Sequence, residues 1–105
     1  MIFIETPLFT KLVKDLLPDE TYRLLQQTLL LRPDTGNLIR GSGGLRKMRW
    51  NIEGRGKRGG VRIIYYWGVP EDTIYMLLPY QKSKQEDLTP EQLKMLRKLV
   101  EEGLQ

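Results

Sequence analysis

The chain has 105 residues, of which 40% are apolar, with no histidine, no cysteine and a net charge of +4. That length and composition predict one globular domain, residues 1–105, with a modest core and no apolar run near the ~18 residues of a membrane span. Without histidine or cysteine there is no Cys/His metal site, thiol nucleophile or imidazole base, so any chemistry falls to Lys, Arg, Tyr, Ser, Thr, Asp or Glu and calls for no metal or cofactor.

Residues 2–5, IFIE, read as a short strand. The opening residues lack the basic start of a secretory signal, and the absence of cysteine fits a cytoplasmic location. Thr6 followed by Pro7 is a helix start, an N-cap hydroxyl with proline at the first helical position. Leu8, Phe9, Leu12, Val13 and Leu16 then recur on one helical face. Pro18 ends that helix and opens a second, in which Asp19 and Glu20 suit the N-terminal dipole. The second helix runs to about residue 31 and buries Tyr22, Leu25 and Leu29. Residues 32–44 form a turn-rich connector.

Residues 44–50 alternate as a strand does. Leu45, Lys47 and Arg49 share one face, and Arg46, Met48 and Trp50 the other. Residues 61–67 are a second strand, rich in β-branched and aromatic types. There Val61, Ile63, Tyr65 and Trp67 point one way, and Arg62, Ile64 and Tyr66 the other. The link between the strands is rich in glycine and carries Arg55, Lys57 and Arg58. Over residues 41–67 seven cations meet one carboxylate, Glu53, while the flanks are neutral or acidic. A one-signed field of that kind suits a phosphate backbone. Trp50 and Trp67 read as core or sheet packing. Tyr66 can stack on a base or pack in the core.

Residues 73–80 form the next strand, with Pro79 near its end or on an edge because it has no amide donor. Lys82 and Lys84 follow in a polar link. Thr89, Pro90 and Gln92 form the start of a last helix with a capping box, whose apolar face is Leu93, Leu96, Leu99 and Val100. The order is β-α-α-β-β-β-α. The last three strands form a small antiparallel sheet by consecutive hairpins, with helices packed on one face: an α+β fold.

If the phosphate backbone that this field suits is RNA, cleaving it without a metal needs a base for the 2′-oxygen, stabilisation of the pentavalent phosphate and a proton for the 5′-oxygen. Arg62 suits the phosphate, because a guanidinium grips two oxygens. Lys47 and Arg49 can lie beside it, and cationic neighbours favour the neutral amine form of Lys47 that a base needs. Lys82 and Lys84 can close the site as phosphate contacts or proton donors.

The order and the residues Gly44-Leu45-Arg46-Lys47-Met48-Arg49, Gly56-Lys57-Arg58-Gly59-Gly60-Val61-Arg62-Ile63-Ile64-Tyr65-Tyr66 and the tail from Tyr80 to Leu88 resemble the RelE/ParE toxin superfamily, HigB-type members above all. The resemblance implies a cytoplasmic toxin of a type II toxin–antitoxin module. Its expected activity is ribosome-dependent endoribonuclease cleavage of mRNA, which inhibits translation, and its expected partner is a cognate antitoxin, a HigA-like helix-turn-helix protein. It places Lys47, Arg49 and Arg62 at the family's basic catalytic positions, with Lys82 and Lys84 completing the candidate site. Arg46, Arg55, Lys57, Arg58, Tyr66 and Tyr80 are the candidate RNA contacts. RelE enzymes carry an arginine and a tyrosine after the last strand. This chain has neither there, which leaves Lys84 or Tyr80 as substitutes. The alternative on the same fold is a cationic binder without nuclease activity, either a gyrase-directed ParE-like toxin or a nucleic-acid-binding module.

Overall fold

The structure, a computed structural model, describes residues 1–51 and 60–103. Strand β1 (Ile2–Glu5) leads into helices α1 (Pro7–Leu16) and α2 (Asp19–Leu31). Strands β2 (Asn37–Leu38), β3 (Leu45–Trp50), β4 (Val61–Gly68) and β5 (Thr73–Gln81) follow, and helix α3 (Pro90–Glu101) closes the order. The five-stranded sheet runs β1-β5-β4-β3-β2. Strand β4 is therefore central, as its dense β-branched and aromatic content predicts.

The helix boundaries follow from local chemistry. The Thr6 hydroxyl accepts from the Phe9 amide at 3.0 Å and donates to the Leu77 carbonyl at 2.9 Å, so one side chain caps α1 and ties it to β5. Pro18 stands at the N-cap of α2. Thr89 and Gln92 make the reciprocal capping box of α3. Glu5 accepts from both Thr10 and Tyr22, each at 2.6 Å, and pins both first helices to β1. Burial, with Glu5 adding, pushes the Tyr22 hydroxyl well above its ordinary range.

Two apolar clusters divide at the sheet. Phe9 and Val13 of α1, Leu17 just after it, and Leu25 and Leu29 of α2 pack with Met48, Val61, Ile63, Tyr65, Ile74 and Met76. The tryptophans join this cluster as expected. Leu96 of α3 packs instead with Leu45, Ile64, Leu77, Leu78 and Tyr80. Helices α1 and α2 thus share a face, as expected, and α3 packs over the other. The reason lies in β4, whose first five residues are all buried; a strand apolar on both sides needs cover on both.

Two further features add to the expected order. Strand β1 pairs with β5 in parallel, so only the other pairings are antiparallel. Strand β2 lies inside the connector read as turns, and pairs Asn37 with Lys47 and Leu38 with Arg46. Tyr65 holds that connector: it is fully buried, its hydroxyl donates to the Pro33 carbonyl at 2.7 Å, and it accepts from the Gly36 amide at 2.8 Å. A Cβ on Gly36 would meet the Tyr65 ring at 2.8 Å, so only glycine fits there. Replacing Tyr65 with phenylalanine leaves both backbone groups without their partner. We expect a loss of about 1–3 kcal/mol, read as a lower urea midpoint at an unchanged slope.

Strand β5 carries a bulge. Ile64 pairs with Leu78 but Tyr65 pairs with Met76, which leaves Leu77 as the extra residue. Leu77 and Leu78 therefore enter the same cluster, and the residues after them change face. As a result Tyr80 faces the same side of the sheet as its ladder partner Arg62.

Candidate functional site

Strand periodicity puts Lys47 and Arg49 of β3 and Arg62 of β4 on the face shared with Leu45 and Ile64. The register sets Arg49 directly opposite Arg62, and Lys47 opposite Ile64. Directly opposed side chains start with their Cβ atoms about 4.5–5.5 Å apart, and like charges there are destabilising. Arg62 is only 7% exposed. Among the described residues, neither Arg49 nor Arg62 enters an ion pair. A buried guanidinium facing a second one, with no carboxylate to relieve it, is costly for folding alone and is suited to an anion.

These side chains line a groove of about 290 Å³ with Thr35, Asn37 and Met48. Gly60 helps to shape it: a Cβ there would stand 3.3 Å from Arg62 Nη1 and 3.4 Å from Asn51 Oδ1. The Gly60 carbonyl also accepts from the Lys82 amide at 3.2 Å, which anchors the end of β5 beside Arg62.

Among the described residues, a carboxylate pairs with Lys47 on this face. Asp87 Oδ1 lies 3.2 Å from Lys47 Nζ and accepts from the Leu88 amide at 2.9 Å. The Leu88 N–H chiefly holds the Asp87 carboxyl below the ordinary aspartate value; burial opposes this, and Lys47 and Lys82 lower it further. Whatever stability this gives is present above the unfolded-state pKa and is lost as pH falls below about 4. The pair is largely exposed, so it adds little to stability. Its consequence is for Lys47, whose amine donates to a carboxylate, opposite to the base role that cationic neighbours alone would favour.

The other expected residues divide. Lys82 acts on Asp87 and belongs to the cluster. Lys84 does not: it lines a separate groove with Asp15 of α1 and Tyr80. Tyr80 is 6% exposed, and burial, with Asp87 adding and Arg62 opposing, pushes its hydroxyl up to about 12. It offers no exposed ring for stacking. Tyr66 is half-buried against Tyr75, ring centroids 6.2 Å apart. Arg46 is corrected: it points to the opposite face, where Nη1 donates to the carbonyls of Gly36 at 2.7 Å and Asp34 at 3.4 Å. It braces the connector. Arg55, Lys57 and Arg58 lie outside the described residues.

Sequence reading missed Thr35, Asn37 and Asp87. The first two sit in a turn-like run whose strand is two residues long, too short to show periodicity. Asp87 carries no local signal, because its partner Lys47 is 40 residues away.

The fold is a RelE-like α+β fold. No family model matches the sequence. Among solved structures, it is similar to a double arginine-to-alanine mutant of the E. coli toxin RelE in the free state. That match has 16% identity and a TM-score of 0.58, and it covers 81% of this chain and 86% of the other. Among the described residues no helix is long and apolar enough to cross a membrane.

Proposed function

We propose that this protein is the toxin of a type II toxin–antitoxin module, acting as a ribosome-dependent, metal-independent mRNA endoribonuclease. The observation that carries the reading is the opposed pair Arg49 and Arg62, which enters no ion pair among the described residues and lines a groove with Lys47. The similarity in fold to a protein described as a toxin supports it. A HigA-like antitoxin and a HigB-like subtype remain part of the proposal, as does a cytoplasmic site of action.

In this mechanism the two guanidinium groups bind the non-bridging oxygens of the scissile phosphate and stabilise the charge that grows on them. Asp87, the carboxylate paired with Lys47, takes the 2′-hydroxyl proton. Lys82 gives a proton to the leaving 5′-oxygen. A carboxylate held below its usual pKa is a weak base, so the electrostatic term carries most of the acceleration.

Expression in bacteria with mapping of mRNA 5′ ends tests the reading. Growth should arrest, co-expressed antitoxin should relieve the arrest, and new 5′ ends should fall in frame within codons. Intact transcripts with DNA damage would favour a gyrase-directed toxin. Harmless high-level expression of folded protein would count against any toxin.

A further inference from the structure

We infer that the groove between α1, the C-terminal half of β5 and the start of α3 is a nucleobase subsite, which takes one unpaired base of the RNA whose phosphate lies at Arg62. The inference rests on the RNA-cleaving reading above and adds where the base is read.

The groove measures about 350 Å³, within the ~300–1,000 Å³ of small-ligand sites. Leu12, Leu16 and Pro79 give it apolar walls, and Gln81 and Gln85 bring amides to it. A flat base needs both, apolar surface for its faces and amides for its edges. The Gln81 side-chain amide has no hydrogen-bond partner among the described residues. Gln85 Nε2 is engaged by the Asp87 carbonyl and by Gln92, which leaves its own oxygen open.

The second observation is Tyr80. Its hydroxyl is buried and has no hydrogen-bond partner among the described residues, although it lines this groove. An unpaired buried hydroxyl is uncommon and calls for an explanation, which a ligand supplies. Tyr80 is also the direct ladder partner of Arg62. The groove therefore begins one strand away from the proposed phosphate position, within the reach of a single nucleotide. Its two charged lining residues, Asp15 and Lys84, are of opposite sign. It is thus no continuation of the phosphate track, and a neutral base suits it better than a second phosphate.

The test uses 2′-O-methyl trinucleotides, which cannot be cleaved, one intact and three with a single abasic position. Binding to the full chain is measured by calorimetry at fixed salt. One abasic position should weaken binding by roughly tenfold or more. With Tyr80→Phe or Gln81→Leu the intact trinucleotide should fall towards that abasic affinity, while both variants keep the wild-type melting transition. If all abasic forms bind as the intact one does, the subsite is overturned and the phosphate reading stands. A base effect indifferent to both substitutions would also overturn it, since the base would then be read elsewhere. If no trinucleotide binds, the subsite is overturned, while the ribosome-dependent reading is decided separately by the mapped mRNA 5′ ends.

Discussion

Replacing Arg62 with lysine should slow RNA cleavage by roughly tenfold or more, equivalent to about 1.4 kcal/mol of transition-state stabilisation. Lysine keeps the charge but loses the planar two-pronged donor. Binding of RNA or ribosome should barely change, because its electrostatic part depends on net charge. Alanine at this position should lower the rate further, on the order of 100-fold, as removal of a transition-state donor does. The contrasting variant neutralises Arg55, Lys57 and Arg58 together. It should weaken binding and flatten its salt dependence by about 2 log units per log unit of salt, at ~0.7 for each lost single-strand phosphate contact. Its rate at saturation should stay near wild type. Single-turnover kinetics at several salt concentrations separate the two. If Arg62→Lys matches wild type in both rate and affinity, Arg62 is only a charge, and the proposed mechanism is wrong.

The second large effect concerns Asp87. Substitution by asparagine keeps the shape but removes the acceptor, and should lower the cleavage rate by about 100-fold or more, the usual worth of a positioned base. The pH profile gives the sign. A base works when deprotonated, so activity is lost as pH falls through its pKa. The Leu88 amide holds the Asp87 carboxyl below the ordinary value, so the wild-type rate should show no acid limb between about pH 8 and pH 5. If Lys47 were the base, the amine rather than the carboxylate would take the proton. Asp87→Asn would then free the amine and raise the rate at neutral pH. The two assignments therefore predict opposite signs for one substitution.

Much of the scaffold was legible because its signals are local. Proline after threonine, and glutamine three residues past Thr89, mark helix starts by hydrogen bonds that close within one turn. Alternation along residues 44–50 and 61–67 already separated Lys47, Arg49 and Arg62 from Val61, Ile63 and Tyr65, since a strand's period is fixed by backbone geometry. The parity of Arg46 was equally legible, and it put that residue with Met48 and Trp50, away from the other cations.

Local signals thus set the order of elements, the caps and the face on which each strand cation lies. Which of those faces meet is settled by how the strands pair and pack. The bulge at Leu77 turns Tyr80 towards Arg62, and a bulge is a property of two strands in register, which neither strand encodes alone. The pairing that sets Arg49 opposite Arg62 depends on ladder register. The arrival of Asp87 at Lys47, and the separation of Lys84 from Lys82 into another groove, depend on where a polar link of irregular backbone runs. Such contacts join residues far apart in sequence through burial and chain geometry, and no local period reports them.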